Sequence, residues 1–198
     1  LWKFNKYIIV MNSEDNSLEG QLLIAMPQMP DPRFSKSVIY ICSHTQDGAM
    51  GIVINKPADS IDVDQLLQQL EITNSNKNNN IGVYFGGPVE ASRGFVLHST
   101  DYMNESTLLL GNGFALTETI EVINSIASGE GPSKSILALG YAGWEKGQLD
   151  VEIKNNGWLI APADTELVFD TNNSDKWEFS AKRIGINIEQ ISSDLGHA

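Results

Sequence analysis

The sequence is poor in cysteine, in basic residues and in long apolar runs, and each shortage excludes a class of protein. A single cysteine among 198 residues excludes an intramolecular disulfide framework and a zinc site built from several cysteines. No apolar segment reaches the ~18 residues that a membrane-spanning helix requires. We therefore expect a protein of the cytoplasm with no membrane partner.

Basic residues are scarce, and their shortage bears on nucleic-acid binding. The chain carries 13 Lys and Arg against 25 Asp and Glu, a formal charge of −12. Most of the excess lies in residues 101–198, and no run of three basic residues occurs anywhere. Affinity for duplex DNA comes mainly from Lys and Arg contacts to phosphate. Direct binding to duplex DNA is therefore not expected.

The length predicts one domain with its own apolar core. At the N-terminus the uninterrupted apolar run is only Tyr7 to Met11, which is shorter than the apolar region of a signal peptide. Met11 is a candidate natural start. We expect residues 1–16 to form an N-terminal extension, disordered or non-native in part, and residues 17–198 to form a single domain.

Short strands and helices alternate along this domain. The β-branched and aromatic residues 37–42 predict a strand that is apolar on both faces and therefore covered on both sides. Asp62 is placed to cap a helix over residues 63–70, Thr117 one that ends at Ser128, and Ser174 one that ends near Gly185. This mixture predicts an α+β fold with α/β-like layers, in which helices flank a mixed β-sheet of short strands.

Cys42 and His44 are the candidates for covalent catalysis. Residues two apart on a strand share a face, and a neighbouring imidazolium lowers the pKa of a thiol and creates a nucleophile. The alternative is that Cys42 is a small buried hydrophobe and His44 forms a hydrogen bond at the loop entrance. No Asn or Asp partner for a triad is fixed by the sequence.

The three histidines, His44, His98 and His197, have no metal-ligand spacing, so neither a metal site nor a cofactor is predicted. The glycine-rich segments 48–51, 85–88 and 140–144 match no nucleotide-binding fingerprint. Their backbone N–H groups are suited to cradle an anion. Tight turns and close packing between layers explain the same glycines equally simply.

Two arginines stand beside proline and glycine. Arg33 follows Asp31 and Pro32, and Arg93 precedes Gly94. Each is either a hook for carboxylate or phosphate or a member of a structural ion pair with Asp31 or Glu90. If the strands at 37–42 and 94–98 are parallel neighbours, both guanidinium groups lie at one sheet edge near glycines 85–87. Antiparallel strands would place them at opposite ends.

Several longer motifs, in order and in register, carry a family resemblance. The segments SLEGQLLIAMPQMPDPRFSKSVIYIC, DGAMGIVINKP, VYFGGPVEASRGFVLHS and ILALGYAGWEKGQL resemble the YqgE/AlgH family of uncharacterised bacterial proteins, and the resemblance extends over residues 17–198. It implies helices around a mixed sheet and no known catalytic mechanism. One branch of the family carries the label of transcriptional regulator of alginate production.

These observations together predict a non-catalytic regulatory module that binds a small anion or a protein partner. The expected binding residues combine the arginine hooks with signature positions of the family: Asp31, Arg33, Asn55, Gly86, Gly87, Arg93 and His98. The alternative function is an enzyme that uses Cys42 and His44 in a glycine-loop pocket. Trp144, which follows the buried run 136–141, is expected to pack inside the domain.

Overall fold

The computed structural model describes residues 17–73, 81–188 and 190–191. The N-terminal extension expected at residues 1–16 lies outside these ranges. The described residues contain nine strands: β1 (Gln21–Ala25), β2 (Val38–Thr45), β3 (Gly48–Val53), β4 (Val83–Phe85), β5 (Val89–Ser99), β6 (Leu108–Gly111), β7 (Phe114–Thr117), β8 (Ser135–Glu145) and β9 (Trp158–Pro162). They also contain four α-helices: α1 (Val63–Gln69), α2 (Ile120–Ser128), α3 (Gln148–Lys154) and α4 (Lys176–Arg183). The predicted α+β fold is confirmed.

One sheet holds the strands in the order β6-β7-β5-β8-β3-β2-β1-β9, and β4 pairs with β8 outside this path. Every pair is antiparallel except β4–β8, which is parallel. The first half of β8 pairs with β4 and β5, and its second half pairs with β3. Gly140 lies between the two halves with φ +71°, a conformation that favours glycine.

Apolar side chains cover both faces of the central strands. Tyr40 and Cys42 of β2 belong to one buried cluster, whereas Ile39 and Ile41 belong to another on the opposite face. This confirms that β2 is covered on both sides. A third buried cluster forms where α1 and α2 pack on the half of the sheet that contains β4. None of the helices in the described ranges is long and apolar enough to cross a bilayer.

Helix α3 is held to the sheet by a carboxylate between two indoles. Glu152 Oε2 accepts hydrogen bonds from Trp144 Nε1 at 2.9 Å and from Trp158 Nε1 at 2.8 Å. Both rings are buried, with 7% and 4% of their surface exposed. The expectation that Trp144 packs inside is therefore confirmed, and its polar N–H has the hydrogen-bond partner that such a ring requires.

Two predicted helix starts are wrong by a few residues. Asp62 caps α1 as predicted, but α2 begins at Ile120 because Thr117 belongs to β7, a strand that the sequence did not predict. The residue that precedes α4 is Asp175, one position after the predicted Ser174. Helix α3 was also not predicted, since it follows Gly147, at φ +70°, without a side-chain cap.

Candidate functional site

A bulge in β2 separates Cys42 from His44. The pairing of β2 with β3 shifts between Ile41 and Ser43, so that Cys42 is an extra residue in the ladder. An extra residue reverses the alternation of side chains beyond it. Cys42 accordingly packs in the cluster that contains Tyr40, whereas Ala49, the cross-strand neighbour of His44, packs in the opposite cluster. The expectation that Cys42 and His44 share a face is therefore wrong.

Cys42 and His44 both have environments that suit a structural role and not a catalytic one. Only 2% of the surface of Cys42 is exposed, and burial raises the pKa of its thiol well above the usual range, which disfavours the nucleophilic thiolate. His44 Nδ1 accepts a hydrogen bond from the backbone N–H of Leu18 at 3.0 Å. Its backbone carbonyl accepts another from Ser17 Oγ. His44 thus fastens the segment that leads into β1.

His98 lies inside the sheet with none of its surface exposed. Its Nδ1 lies 2.9 Å from the carbonyl oxygen of Ser99, and its Nε2 lies 2.8 Å from Thr117 Oγ1. A carbonyl only accepts, so Nδ1 carries a proton and Nε2 is able to accept from the threonine hydroxyl. Burial lowers the pKa of His98. Both ring nitrogens have internal partners, so the ring offers no contact to a ligand.

Gly86 and Gly87 allow two backbones to touch. A Cβ on Gly86 would lie 2.3 Å from the carbonyl oxygen of Gly140, and one on Gly87 would lie 2.0 Å from the carbonyl carbon of Tyr141. The backbone N–H of Gly86 donates to the Leu139 carbonyl at 2.8 Å. The close-packing explanation therefore accounts for these glycines, and the N–H of Gly86 is not available to an anion.

The structure does not bring Arg33 and Arg93 together. Strands β8 and β3 lie between β5 and β2, and three successive antiparallel pairings make β5 antiparallel to β2. This arrangement does not meet the condition under which one site would contain both arginines. Arg93 donates from Nη1 to Glu90 and from Nη2 to Glu118, and its guanidinium carbon lies 5.1 Å from the centroid of the Phe95 ring. Both terminal nitrogens are thus engaged in structural ion pairs.

Arg33 has a different environment, in the loop formed by residues 31–37, which we call the basic loop. Arg33 donates from Nε and Nη2 to the carboxylate of Asp31, at 3.0 and 2.6 Å. Asp31 Oδ1 also accepts from the backbone N–H of Arg33. These bonds hold the pKa of Asp31 below its usual range. The side chain of Arg33 is 59% exposed, and Nη1 has no hydrogen-bond partner among the described residues.

Asn55 and Lys56, which follow β3, fix the shape of the basic loop. Asn55 Oδ1 accepts from the backbone N–H of Val38 at 2.8 Å, and its Nδ2 donates to the Lys36 carbonyl at 2.9 Å. Lys56 Nζ donates to the Arg33 carbonyl at 2.7 Å. Lys36 itself adopts φ +54°, a strained backbone that such surrounding bonds maintain. Asn55 therefore positions the loop and is not itself an exposed binding group.

Basic side chains gather at this loop although the chain is acidic overall. Lys36 Nζ lies 5.1 Å from the centroid of the Trp177 ring, and Lys56 is half-buried. Behind the loop, Lys176 is 1% exposed and donates from Nζ to the Ile54 carbonyl and to Asn173 Oδ1, both at 3.0 Å. Burial lowers the pKa of Lys176 to about 8. Sequence reasoning singled out none of these lysines. Lys36 belongs to the loop itself, whereas only the fold brings Lys56 to the Arg33 carbonyl and Lys176 to the Ile54 carbonyl.

The described ranges contain no group of three or more His, Cys, Asp or Glu side chains that is able to hold a metal ion. Of the predicted binding residues, the structure assembles Asp31, Arg33 and Asn55 in one place. It leaves Gly86, Gly87, Arg93 and His98 elsewhere, each with partners of its own.

Comparisons with known proteins agree with this fold. The model of the AlgH-like family matches residues 22–189. A UPF0301 protein of Afipia carboxidovorans is 50% identical over 189 residues, covering 91% of this chain and 90% of the relative. A UPF0301 protein of Rhodospirillum rubrum is 49% identical, covering 96% and 98%. The chain therefore belongs to the AlgH-like family, as its motifs predicted.

Two solved structures resemble the chain. The solution structure of the AlgH protein from Pseudomonas aeruginosa has a TM-score of 0.75 at 40% identity, covering 96% of this chain and 100% of that one. The crystal structure of a protein from Corynebacterium diphtheriae has a TM-score of 0.70 at 23% identity, covering 92% and 94%. The second likeness concerns the fold alone. The relatives are uncharacterised proteins, so function has to be argued from the site.

Proposed function

We propose that the chain is a non-catalytic, cytoplasmic binding module that takes a small anion at the basic loop. The observation that carries the proposal is the state of Arg33. One edge of its guanidinium is fixed on Asp31, while the side chain is mostly exposed and Nη1 has no hydrogen-bond partner among the described residues. Arg93 lacks this property because both of its terminal nitrogens bind carboxylates.

Preorganisation supports a role in recognition. A guanidinium held by a carboxylate loses little conformational freedom when it binds a ligand. The loop that carries it is fixed by Asn55 and by Lys56. Because Lys36 and Lys56 add positive charge, the loop attracts anions more than the rest of an acidic surface does. A planar fork beside ammonium groups suits a carboxylate or a phosphate.

The placement of the possible nucleophile supports the non-catalytic part of the proposal. Cys42 is buried on one face of the sheet and His44 lies toward the other. Nucleophilic catalysis by a thiol needs an accessible thiolate with a base within hydrogen-bond reach. The single cysteine, buried and unpaired, is in keeping with a cytoplasmic location.

Backbone amide chemical shifts during titration with inorganic phosphate, and separately with citrate, test the proposal. We expect saturable shifts confined to residues 31–37 and 55–56. Arg33→Gln should weaken binding by about tenfold or more, whereas Arg33→Lys, which keeps the charge and loses the fork, should weaken it less. Arg93→Gln is the matched control and should bind as the unmodified chain does. Shifts centred elsewhere, or equal losses in the Arg33 and Arg93 variants, would refute the proposal.

A further inference from the structure

A cleft of about 530 Å³ opens where β4 and β8 begin and β5 ends. The turn after α2 contributes one part of the lining, and Phe169 and Asp170 contribute another. Ile81, Ile126 and Phe169 supply apolar surface. Three charged side chains also line the cleft, and glycine, proline and serine residues complete it. This volume lies within the ~300–1,000 Å³ that is usual for small-molecule sites. None of the cleft residues belongs to the basic loop, so the cleft is a separate feature.

The cleft carries charges of both signs. Lys134 Nζ forms an ion pair with Asp170, and the two side chains are 38% and 47% exposed. An ion pair so open to solvent contributes little to stability. A ligand carboxylate is therefore able to replace Asp170 beside Lys134, and a ligand ammonium is able to replace Lys134 beside Asp170, with little loss of folding free energy.

Asp101 supplies a third charge, and its own hydrogen bonds fix it. Its Oδ1 accepts from Ser99 Oγ at 2.5 Å, and its Oδ2 accepts from the backbone N–H of Ser133 at 3.0 Å. These bonds lower the pKa of Asp101, so it is a carboxylate at neutral pH. The C-terminal end of α2, the negative end of its dipole, lies at the same cleft. One ammonium thus stands beside an excess of negative charge.

We propose that this cleft binds a zwitterion of the α-amino acid class. The carboxylate of the ligand binds the ammonium of Lys134, and its own ammonium binds Asp101 and Asp170. The side chain of the ligand packs on the apolar surface of Ile126 and Phe169. A simple anion that binds Lys134 would also meet two carboxylates. A simple cation that binds both Asp101 and Asp170 would displace Lys134 from Asp170 and leave it without a counter-charge. Only a ligand with both charges binds the two carboxylates and also supplies a counter-charge to Lys134.

Three probes of one shape test this proposal by isothermal titration calorimetry and amide chemical shifts. Leucine carries both charges, 3-methylbutylamine lacks the carboxylate, and 4-methylpentanoate lacks the ammonium. We expect leucine to bind about tenfold or more tightly than either single-charge probe. The amide shifts should centre on residues 101, 133–135 and 169–170. Amine binding as tight as leucine binding would overturn the proposal in favour of a cation site, and the absence of a saturable leucine shift would overturn it outright.

Variants separate the cleft from general charge effects. Lys134→Gln and Asp170→Asn should each weaken leucine binding by about tenfold. Lys154→Gln on α3 removes an exposed lysine that does not line the cleft, and it should leave binding unchanged. Thermal unfolding of each variant checks that the fold is intact. Equal losses in the Lys134 and Lys154 variants would contradict the assignment of the ligand carboxylate to Lys134.

Discussion

Removal of the Glu152 carboxylate should detach α3 from the sheet. It should lower the free energy of unfolding by more than the removal of an ordinary charge from a short surface helix does. Glu152 accepts from the indoles of Trp144 and Trp158 through one oxygen and from Gln148 Nε2 through the other, at 2.9 Å. In Glu152→Ala both indole N–H groups lose their acceptor while the rings stay buried. The residue therefore joins two strands, β8 and β9, that are not neighbours in the sheet.

The magnitude follows from the number of donors left without a partner. A buried donor that loses its partner costs ~1–3 kcal/mol, so two donors give about 2–6 kcal/mol if no water reaches them. Because α3 lies at the surface, we expect water to reach part of the site and to bind one of the two indole donors. The free energy of unfolding of Glu152→Ala should therefore fall by about 3 kcal/mol. Glu152→Gln keeps one oxygen for the indoles and should lose only about 1 kcal/mol.

Urea unfolding followed by far-ultraviolet circular dichroism measures these losses without relying on the fluorescence of the indoles concerned. Asp150→Ala is the control, because Asp150 is an exposed carboxylate on the same helix. Its loss should be at most about 1 kcal/mol, the usual value of a charge at the end of a helix. If the Glu152→Ala and Asp150→Ala losses agree within about 0.5 kcal/mol, the indole bonds do not hold the helix and the reasoning fails.

Four further predictions concern the buried core and the surface charge. Trp144→Ala should cost ~3–5 kcal/mol of unfolding free energy by the rule for large-to-small core changes, and a urea-measured loss under ~1 kcal/mol would contradict the buried placement of the ring. Because burial lowers the pKa of Lys176 from 10.5 to about 8, the unfolded chain binds more protons between these pH values and the unfolding free energy rises with pH. The rise attributable to Lys176 is about 3 kcal/mol, measured as the difference from Lys176→Met so that other titrating groups cancel; a flat difference would refute it. Alkylation of Cys42 by iodoacetamide should be slow in buffer and fast in denaturant, and fast labelling of the folded chain would revive the enzymatic alternative. A mobility-shift assay at ~0.15 M salt should detect no binding to duplex DNA, and a saturable shift would contradict the charge argument.

Local patterns predicted the parts of the fold that depend on local chemistry. The β-branched run of β2 and the Asp62 cap of α1 are strong signals, because each satisfies backbone and packing requirements within a few residues. Strand β7 and helix α3 carry weaker signals. The first has four residues, and the second follows a glycine that provides no capping side chain. Pairing with β5 and β6 in one case, and the contact of Glu152 with two indoles in the other, determine these elements from a distance.

The candidate site was predictable only in part for the same reason. Asp31 and Arg33 are two residues apart, so their ion pair forms within one short segment, and the sequence already suggested it. The relation between Arg33 and Arg93 depends on the order of the strands, which no local pattern contains. The bulge at Cys42 also arises from register with β3, and it alone separates Cys42 from His44. Of the three lysines near the basic loop, Lys36 belongs to the loop, whereas Lys56 and Lys176 come from segments distant in the sequence.

The shared strand β8 has a consequence for the synthesis of the protein. Strands β3, β4 and β5 all pair with β8, yet β8 leaves the ribosome after each of them. Until β8 is synthesised, β3, β4 and β5 therefore lack the strand with which they pair, and their apolar edges stay uncovered. Such long-range pairing slows folding and exposes nascent chains to aggregation. A chain arrested before Ser135 should accordingly remain bound to a chaperone, whereas one extended past Pro162 should be released.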